Sequence, residues 1–172
     1  NPPEHEEAIV WRLVTTEPID TAEEIAAVID AYRQRWLIEE FFKAIKTGCI
    51  YEKRQLESYE ALTNALAMTI PMAWSMLLLR TQSRVEESPP ADNIVDPFRL
   101  QVISAHAKRY PLPEKPTLRD VAYAVAGMGG HLKRNGPPGW LTLRRGFERL
   151  LTLEEGWRMA RQAADDTATD DG

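Results

Sequence analysis

Hydrophobic and polar residues are arranged along the chain in a way that predicts one short strand followed by a series of helices. The run AIVWRLVTT, residues 8–16, is rich in Val, Ile, Trp and Thr, which favours an extended strand. A strand needs a neighbour for its backbone hydrogen bonds, and no hairpin partner follows, so we expect its partners outside this sequence or in another copy. The sequence therefore predicts a mainly α fold with one N-terminal β-strand.

Helix caps and apolar periodicity predict a helical array after the strand. Thr21 stands three residues before Glu24, a pair typical of a helix start, and Gly48 is a residue type common just after a helix end. A long helix is therefore predicted over 22–47. Further helices are predicted over about 58–84 with a kink at Pro71, 98–109, 117–128 and 140–163. A Gly/Pro-rich basic loop is predicted at 129–139, and an acidic, disordered tail at 165–172.

A line of polar residues along the predicted long helix gives the first indication of function. At about 100° per residue, Tyr32, Arg35, Glu39, Lys43 and Lys46 fall within a sector of roughly 80°. Apolar residues share this sector before Tyr32 and lie opposite it afterwards, whereas an ordinary surface helix keeps one apolar stripe. The pattern favours a helix that lines a cleft. On geometry alone, a surface ion pair between Arg35 and Glu39, four positions apart, is the simpler alternative.

Charge is unevenly distributed along the chain. The 172 residues have a net charge of −5, so the chain as a whole does not have the composition of a nucleic-acid-binding protein. Residues 1–31 hold eight acidic residues and one Arg, whereas 32–54 hold six Lys or Arg against three Glu, and 131–149 hold five against one. A local basic surface can still bind phosphate in a protein that is acidic overall.

Cysteine, histidine and hydropathy patterns bear on the cell compartment, on metal binding and on membrane association. Cys49 is the one cysteine, so no disulfide can form within the chain, and a reducing compartment fits. The three His residues show no spacing typical of metal ligands. The most apolar run, 70–79, contains Pro71 and is too short to cross a bilayer, so no membrane partner is expected.

The spacing Tyr32-x2-Arg35-x3-Glu39-x6-Lys46 resembles the YREK signature of bacterial DDE transposases of the insertion-sequence-four group. Its context is similar too: the segment RWLIEEFFKAIKTG surrounds Glu39, and a strand-like run ending in TTEP precedes it. The later GGHLKRNG loop and the closing aromatic helix also resemble that family. The resemblance covers nearly the whole chain and is weakest over residues 85–128.

The resemblance implies a catalytic role for Glu39. In that family a ribonuclease-H-like domain binds divalent metal, Mg²⁺ or Mn²⁺, through two Asp and one Glu, and Glu39 matches the Glu. Such carboxylates hold two ions, one activating the attacking oxygen and the other stabilising the leaving oxygen. The family's Tyr, Arg and Lys contact phosphates near the cut end, which implies the same for Tyr32, Arg35 and Lys46. Lys43, in the same sector, is included among the expected DNA contacts.

The resemblance also implies roles outside this helix. Trp11 matches a Trp that stacks on a base extruded beside the transposon end, and a core aromatic in a strand is the equally weighted alternative. Lys133 and Arg134 match a Lys-Arg pair of the family and are expected to contact DNA, unless they belong to a solvated loop. The helix predicted over 140–163 matches the family's dimerisation helix, and packing onto the chain's own helices is its alternative.

Together these expectations define domains and function. Residues 1–48 are expected to hold the last strand and the catalytic-Glu helix of a truncated ribonuclease-H-like core, 49–164 a helical dimerisation domain, and 165–172 the tail. Asp20 and Asp30 belong to the helix start and body, so neither is a candidate for the two catalytic Asp residues. We expect an inactive C-terminal part of a bacterial, nucleoid-associated cytoplasmic transposase that acts on double-stranded DNA at transposon ends and targets. A transposition inhibitor and a non-catalytic helical interaction module are the alternatives.

Overall fold

The structure, a computed structural model, describes residues 10–53 and 55–170, and no side chains at 167–170. Its longer helical elements are α1 (Ala22–Gln34), α2 (Trp36–Lys43), a π-helical turn (Ala44–Gly48), α3 (Tyr59–Gln82), α4 (Pro97–His106), α5 (Leu118–Met128) and α6 (Trp140–Asp170). Short 3-10 turns lie at Tyr51–Lys53, Ala91–Asn93 and Lys133–Asn135. The prediction of a mainly α fold is confirmed.

The predicted N-terminal strand lies partly outside the described residues. Residues 8 and 9 are not described, and residues 10–16 belong to no helix or strand of the structure. A strand is stable only when a neighbour pairs with its backbone. Within the described ranges, the β-pairing is one isolated bridge between Pro90 and Thr117. The strand and its place in a ribonuclease-H-like core therefore stay a prediction.

The long helix predicted over 22–47 is interrupted twice, so that part of the prediction is wrong. At Arg35 the backbone N–H donates to the carbonyl of Tyr32 at 3.1 Å, which replaces the regular i→i−4 bond by a tighter one. Further on, the N–H of Cys49 donates to the carbonyl of Ala44 at 2.8 Å, the wider i→i−5 bond of a π turn. The angles expected for one regular helix consequently do not describe the whole segment.

The chain forms two compact units, Asn1–Glu39 and Glu40–Gly172. The first contains α1, in which no residue is buried, and the boundary falls within α2. The second contains the hydrophobic core, to which the π turn, α3, α4, α5 and α6 contribute. Large side chains that are fully buried there include Met76, Ile103, Leu118, Leu143 and Leu150. The predicted domain division at residue 48 stays a prediction.

Helix α6 packs within its own unit. Leu143, Phe147 and Leu150 are buried in the core, and the ring of Trp157 lies 6.3 Å from that of Phe98 in α4. These contacts fit the alternative that α6 packs onto the chain's own helices, and the homodimer stays a prediction. The helix also continues to Asp170, through most of the tail that was predicted to be disordered.

Helix α3 extends well beyond the apolar run that the sequence analysis singled out. Its 24 residues, Tyr59–Gln82, contain a window of mean hydropathy 1.5, enough by length and composition alone to cross a membrane. A core helix of a globular protein meets the same criteria, and α3 buries Thr69, Ala73, Met76, Leu77 and Leu79 in this unit. The expected absence of a membrane partner stays a prediction.

Candidate functional site

A helix cap positions the predicted site residues of the first unit. The hydroxyl of Thr21 accepts a hydrogen bond from the N–H of Glu24 at 3.2 Å, and the Glu24 carboxylate accepts one from the N–H of Thr21 at 3.0 Å. This capping box fixes the start of α1 where the sequence predicts it. Tyr32 then lies in the last turn of α1, Arg35 at the junction with α2, and Glu39 in the first turn of α2.

Four predicted site residues form a continuous series of contacts, which we call the Trp11–Glu39 cluster: Trp11, Tyr32, Arg35 and Glu39. The rings of Trp11 and Tyr32 meet edge to face, with centroids 5.8 Å apart. The guanidinium carbon of Arg35 lies 5.6 Å from the centroid of the Tyr32 ring, a cation–π distance. Arg35 Nη1 donates to Glu39 Oε1 at 2.7 Å. The structure therefore brings these four side chains together within one unit.

Electrostatics in the cluster are dominated by the Arg35–Glu39 ion pair. Its hydrogen bond and charge attraction to Glu39, followed by a smaller contribution from Tyr32, raise the pKa of Arg35 above its ordinary value. Both side chains are about half exposed, at 52% and 44%, so water screens the pair and its contribution to stability is small. The surface ion pair that the sequence analysis kept as an alternative is thus present.

The cluster also offers groups that suit a nucleic-acid strand. Trp11 is 67% exposed, which excludes a core position in the described part of the chain and leaves ring surface for stacking. An arginine has five N–H donors in a planar fork, so the bond to Glu39 leaves Arg35 able to contact a phosphate. Chemically, this arrangement can combine a stacking platform with a phosphate contact and one carboxylate.

The carboxylates of the described residues do not by themselves fit a two-metal site. Glu39 could supply one ligand, but residues 10–53 and 55–170 contain no group of three or more His, Cys, Asp or Glu side chains that could hold a metal ion. Glu39 is also bound by Arg35, which competes with a cation for the same oxygen. A metal centre at Glu39 would need carboxylates from outside the described residues.

The remaining predicted residues of this segment belong to the second unit, where each has an acidic neighbour. Lys43 Nζ lies 3.9 Å from Glu40 Oε1, and Lys46 Nζ lies 3.4 Å from Glu52 Oε1. Both lysine side chains are more than half exposed. Both lysines are accessible to a phosphate group from solution, which would replace two weak ion pairs that water already screens.

Lys133 and Arg134 lie in a short 3-10 turn within the predicted basic loop. Both are exposed, which agrees with either a DNA contact or a solvated loop. Lys133 lines a cavity together with Arg109, Arg119 and Tyr123, which the sequence analysis did not single out. These residues come from three separate segments, and no spacing along the chain could have signalled that they share a cavity.

A comparison with known protein families gives a match over the segment that contains the Trp11–Glu39 cluster. Residues 4–76 match the family model described as the transposase DDE domain. The matched segment contains Trp11, Tyr32, Arg35 and Glu39, together with Lys43 and Lys46. It is less than half of the chain and ends within α3, before Lys133, Arg134 and α6. The match supports a fragment of a DDE transposase in the part of the chain that carries the Trp11–Glu39 cluster.

Proposed function

We propose that this chain is the C-terminal part of a cut-and-paste DNA transposase of the insertion-sequence-four group, similar to the transposon-five transposase. The observation that carries the proposal is the Trp11–Glu39 cluster: three of the four residues with the YREK spacing, Tyr32, Arg35 and Glu39, form a series of contacts that Trp11 extends, and the transposase DDE match covers them. A surface ion pair alone would not require an exposed Trp against the Tyr, which lies 21 positions further along the chain.

In this proposal each residue has a defined role. Glu39 supplies one carboxylate of a divalent metal site, Mg²⁺ or Mn²⁺, whose other ligands come from outside the described residues. Arg35 and Tyr32 contact phosphates of the transposon end, for which a guanidinium fork is well suited. Trp11 stacks on an extruded base, which offsets part of the cost of unstacking it, on the order of a few kcal/mol. Lys43 and Lys46 add phosphate contacts.

The chain alone is proposed to be inactive in strand cleavage, because the described residues offer one carboxylate of the metal site and not three. We expect the purified chain to leave supercoiled DNA intact in the presence of Mg²⁺ or Mn²⁺. Robust metal-dependent nicking that co-purifies with the chain would contradict this proposal.

The role of Glu39 is tested in the longer protein that carries the upstream sequence. Glu39→Gln keeps the shape of the side chain but removes its charge, so cleavage at transposon ends should fall at least about 100-fold while end binding persists. Glu23→Gln, an exposed glutamate in the first turn of α1, is the matched control and should keep activity. Cleavage that survives Glu39→Gln would rule out the proposed role.

A further inference from the structure

A cavity in the second unit collects positive charge away from the Trp11–Glu39 cluster. Its volume is about 390 Å³. Its lining includes Arg109, Tyr110, Arg119, Asp120, Tyr123 and Lys133. We call it the Arg109–Lys133 cavity. It lies between the segment after α4, the first turns of α5 and the loop before α6.

The three cations of this cavity have no acidic partner among the described residues. No salt bridge to Arg109, Arg119 or Lys133 is present in the described part of the chain, whereas other cations of the unit, such as Arg80 and Arg99, pair with glutamates. The one acid of the lining, Asp120, is occupied in capping α5: its carboxylate accepts from the Thr117 N–H at 2.9 Å and from the Thr117 hydroxyl at 2.7 Å. With three cations against one carboxylate, the lining of the cavity has an excess of positive charge.

Neutral backbone acceptors hold two of these cations in place. Arg109 Nη1 donates to the carbonyl of His131 at 3.0 Å, and Arg119 Nη1 donates to the carbonyl of Val85 at 3.1 Å. Each bond uses one of five N–H donors and neutralises no charge, so both guanidinium groups stay available to an anion. Because the two side chains are already held in place, less side-chain entropy is lost when a ligand binds them.

An aromatic cluster supports the same wall. The rings of Tyr110 and Tyr123 meet edge to face with centroids 5.9 Å apart, and His131 lies against both. Burial, together with the charge of Arg109, lowers the pKa of His131, although a hydrogen bond with the backbone of Gly136 opposes the shift. The lowered pKa favours the neutral form of His131, and the positive charge of the cavity lining comes from arginine and lysine.

We propose that the Arg109–Lys133 cavity binds a phosphate group. Planar guanidinium groups and a lysine ammonium suit a tetrahedral anion with several acceptor oxygens. If the chain is part of a transposase, as proposed above, the phosphate belongs to the backbone of duplex DNA, and the cavity is a second DNA contact in the helical unit. A free small phosphate is the other source of the same chemistry.

The salt dependence of DNA binding tests the proposal on the whole chain. Each phosphate that a protein neutralises contributes a slope of about −0.9 to the plot of log K against log salt concentration. The double variant Arg119→Gln/Lys133→Gln should make this slope shallower by about 0.9, measured by fluorescence anisotropy with a short duplex. The control Lys108→Gln/Arg149→Gln removes the same charge from exposed residues that do not line the cavity, and its slope should change less. Circular dichroism checks that both variants fold.

Each outcome of the experiment decides the proposal. Equal changes in the cavity and control variants would overturn it, since any surface charge would then serve. A parallel titration with pyrophosphate, followed by tyrosine and tryptophan fluorescence, shows whether the bound phosphate comes from DNA or from a small molecule. If only the cavity variant loses pyrophosphate binding while its DNA affinity is unchanged, the phosphate site stands and DNA is overturned as its ligand. Loss of neither ligand overturns the site. The result is independent of the Glu39→Gln cleavage test, so failure of one proposal is distinguishable from failure of the other.

Discussion

Two adjacent glutamates in α2 illustrate how differently neighbouring residues can be used. Glu39 is half exposed and binds Arg35 four positions earlier. Glu40, by contrast, is only 16% exposed at its side chain and binds Arg80 of α3, whose guanidinium carbon lies 4.6 Å from the centroid of the Trp140 ring. Glu39, the candidate catalytic carboxylate, therefore contributes less to the fold than Glu40 does. This is expected of a group that must reach a metal ion or a DNA strand.

Alanine substitutions of the two glutamates should separate these roles. Glu40→Ala leaves Arg80 without its counter-charge, and since Arg80 Nε is buried without a hydrogen-bond partner among the described residues, we expect a loss on the order of 1–3 kcal/mol in the free energy of unfolding. Glu39→Ala removes a screened surface pair and should cost less than about 1 kcal/mol. Urea denaturation followed by circular dichroism measures both. A larger loss for Glu39→Ala would show that this residue supports the fold.

At the residue level, sequence reasoning succeeded where a contact follows from spacing. The Thr21–Glu24 capping box forms as expected, and the Arg35–Glu39 pair, four positions apart, forms as the alternative interpretation had it. Contacts between distant positions could not be foreseen: nothing in the local sequence indicates that Glu40 meets Arg80 or that Arg119 shares a cavity with Lys133. These depend on how the helices pack.

At the level of elements, helix starts were easier to predict than helix interruptions. Pro71 lies inside α3 as expected, and α5 starts at Leu118 behind a cap at Thr117. The break at Arg35 has neither Gly nor Pro nearby, the residues to which breaks are usually traced. The π turn is different, because it packs closely: a Cβ on Gly48 would lie 3.0 Å from the terminal methyl of Met76. That close approach is a property of the folded core.

The contact between α5 and α6 depends on two glycines, Gly129 and Gly146. A Cβ on Gly146 of α6 would overlap the carbonyl oxygen of Val125 in α5, and one on Gly129, just after α5, would overlap that of Thr142. The two backbones thus approach so closely that any side chain at these positions would push them apart. The close packing of α6 against α5 therefore relies on the absence of a side chain at Gly146.

Substituting two glycines of α6 tests this close approach. Gly146→Ala forces α5 and α6 apart and should lower the free energy of unfolding by on the order of 1–3 kcal/mol, as overpacking does. Gly156→Ala, in the same helix with no atom within 4 Å of the added carbon, should instead raise it by about 0.4–1 kcal/mol, because alanine restricts the unfolded chain and favours helix. Chemical denaturation measures both variants. A stable Gly146→Ala protein would mean that the helices can separate without loss.

At the scale of the whole molecule, the candidate catalytic cluster and the hydrophobic core belong to different units. Among the described residues, the buried apolar ones begin at Ala44 and end at Leu150, all in the second unit, whereas α1 buries none. The sequence analysis predicted the helices of both units but not this uneven burial. Apolar residues such as Ile25 and Ile29 fit a buried face by periodicity, yet they are 46% and 39% exposed. Periodicity identifies a face that could be buried and cannot tell what covers it.

Hydrogen exchange should reveal this uneven burial directly. Amides of α5 lie in the core and open only with the unit, so their exchange should be slowed at least about a thousandfold, as a global stability near 5 kcal/mol requires. Amides of α1 have no buried side chains above them and should exchange through local opening, with protection at least tenfold lower than in α5. Deuterium uptake of peptides from the two helices, measured by mass spectrometry on the intact chain, gives both values. Equal protection would mean that α1 is held as firmly as the core. Protection of α1 that rises when duplex DNA is added would instead connect its order to the ligand proposed for the Trp11–Glu39 cluster.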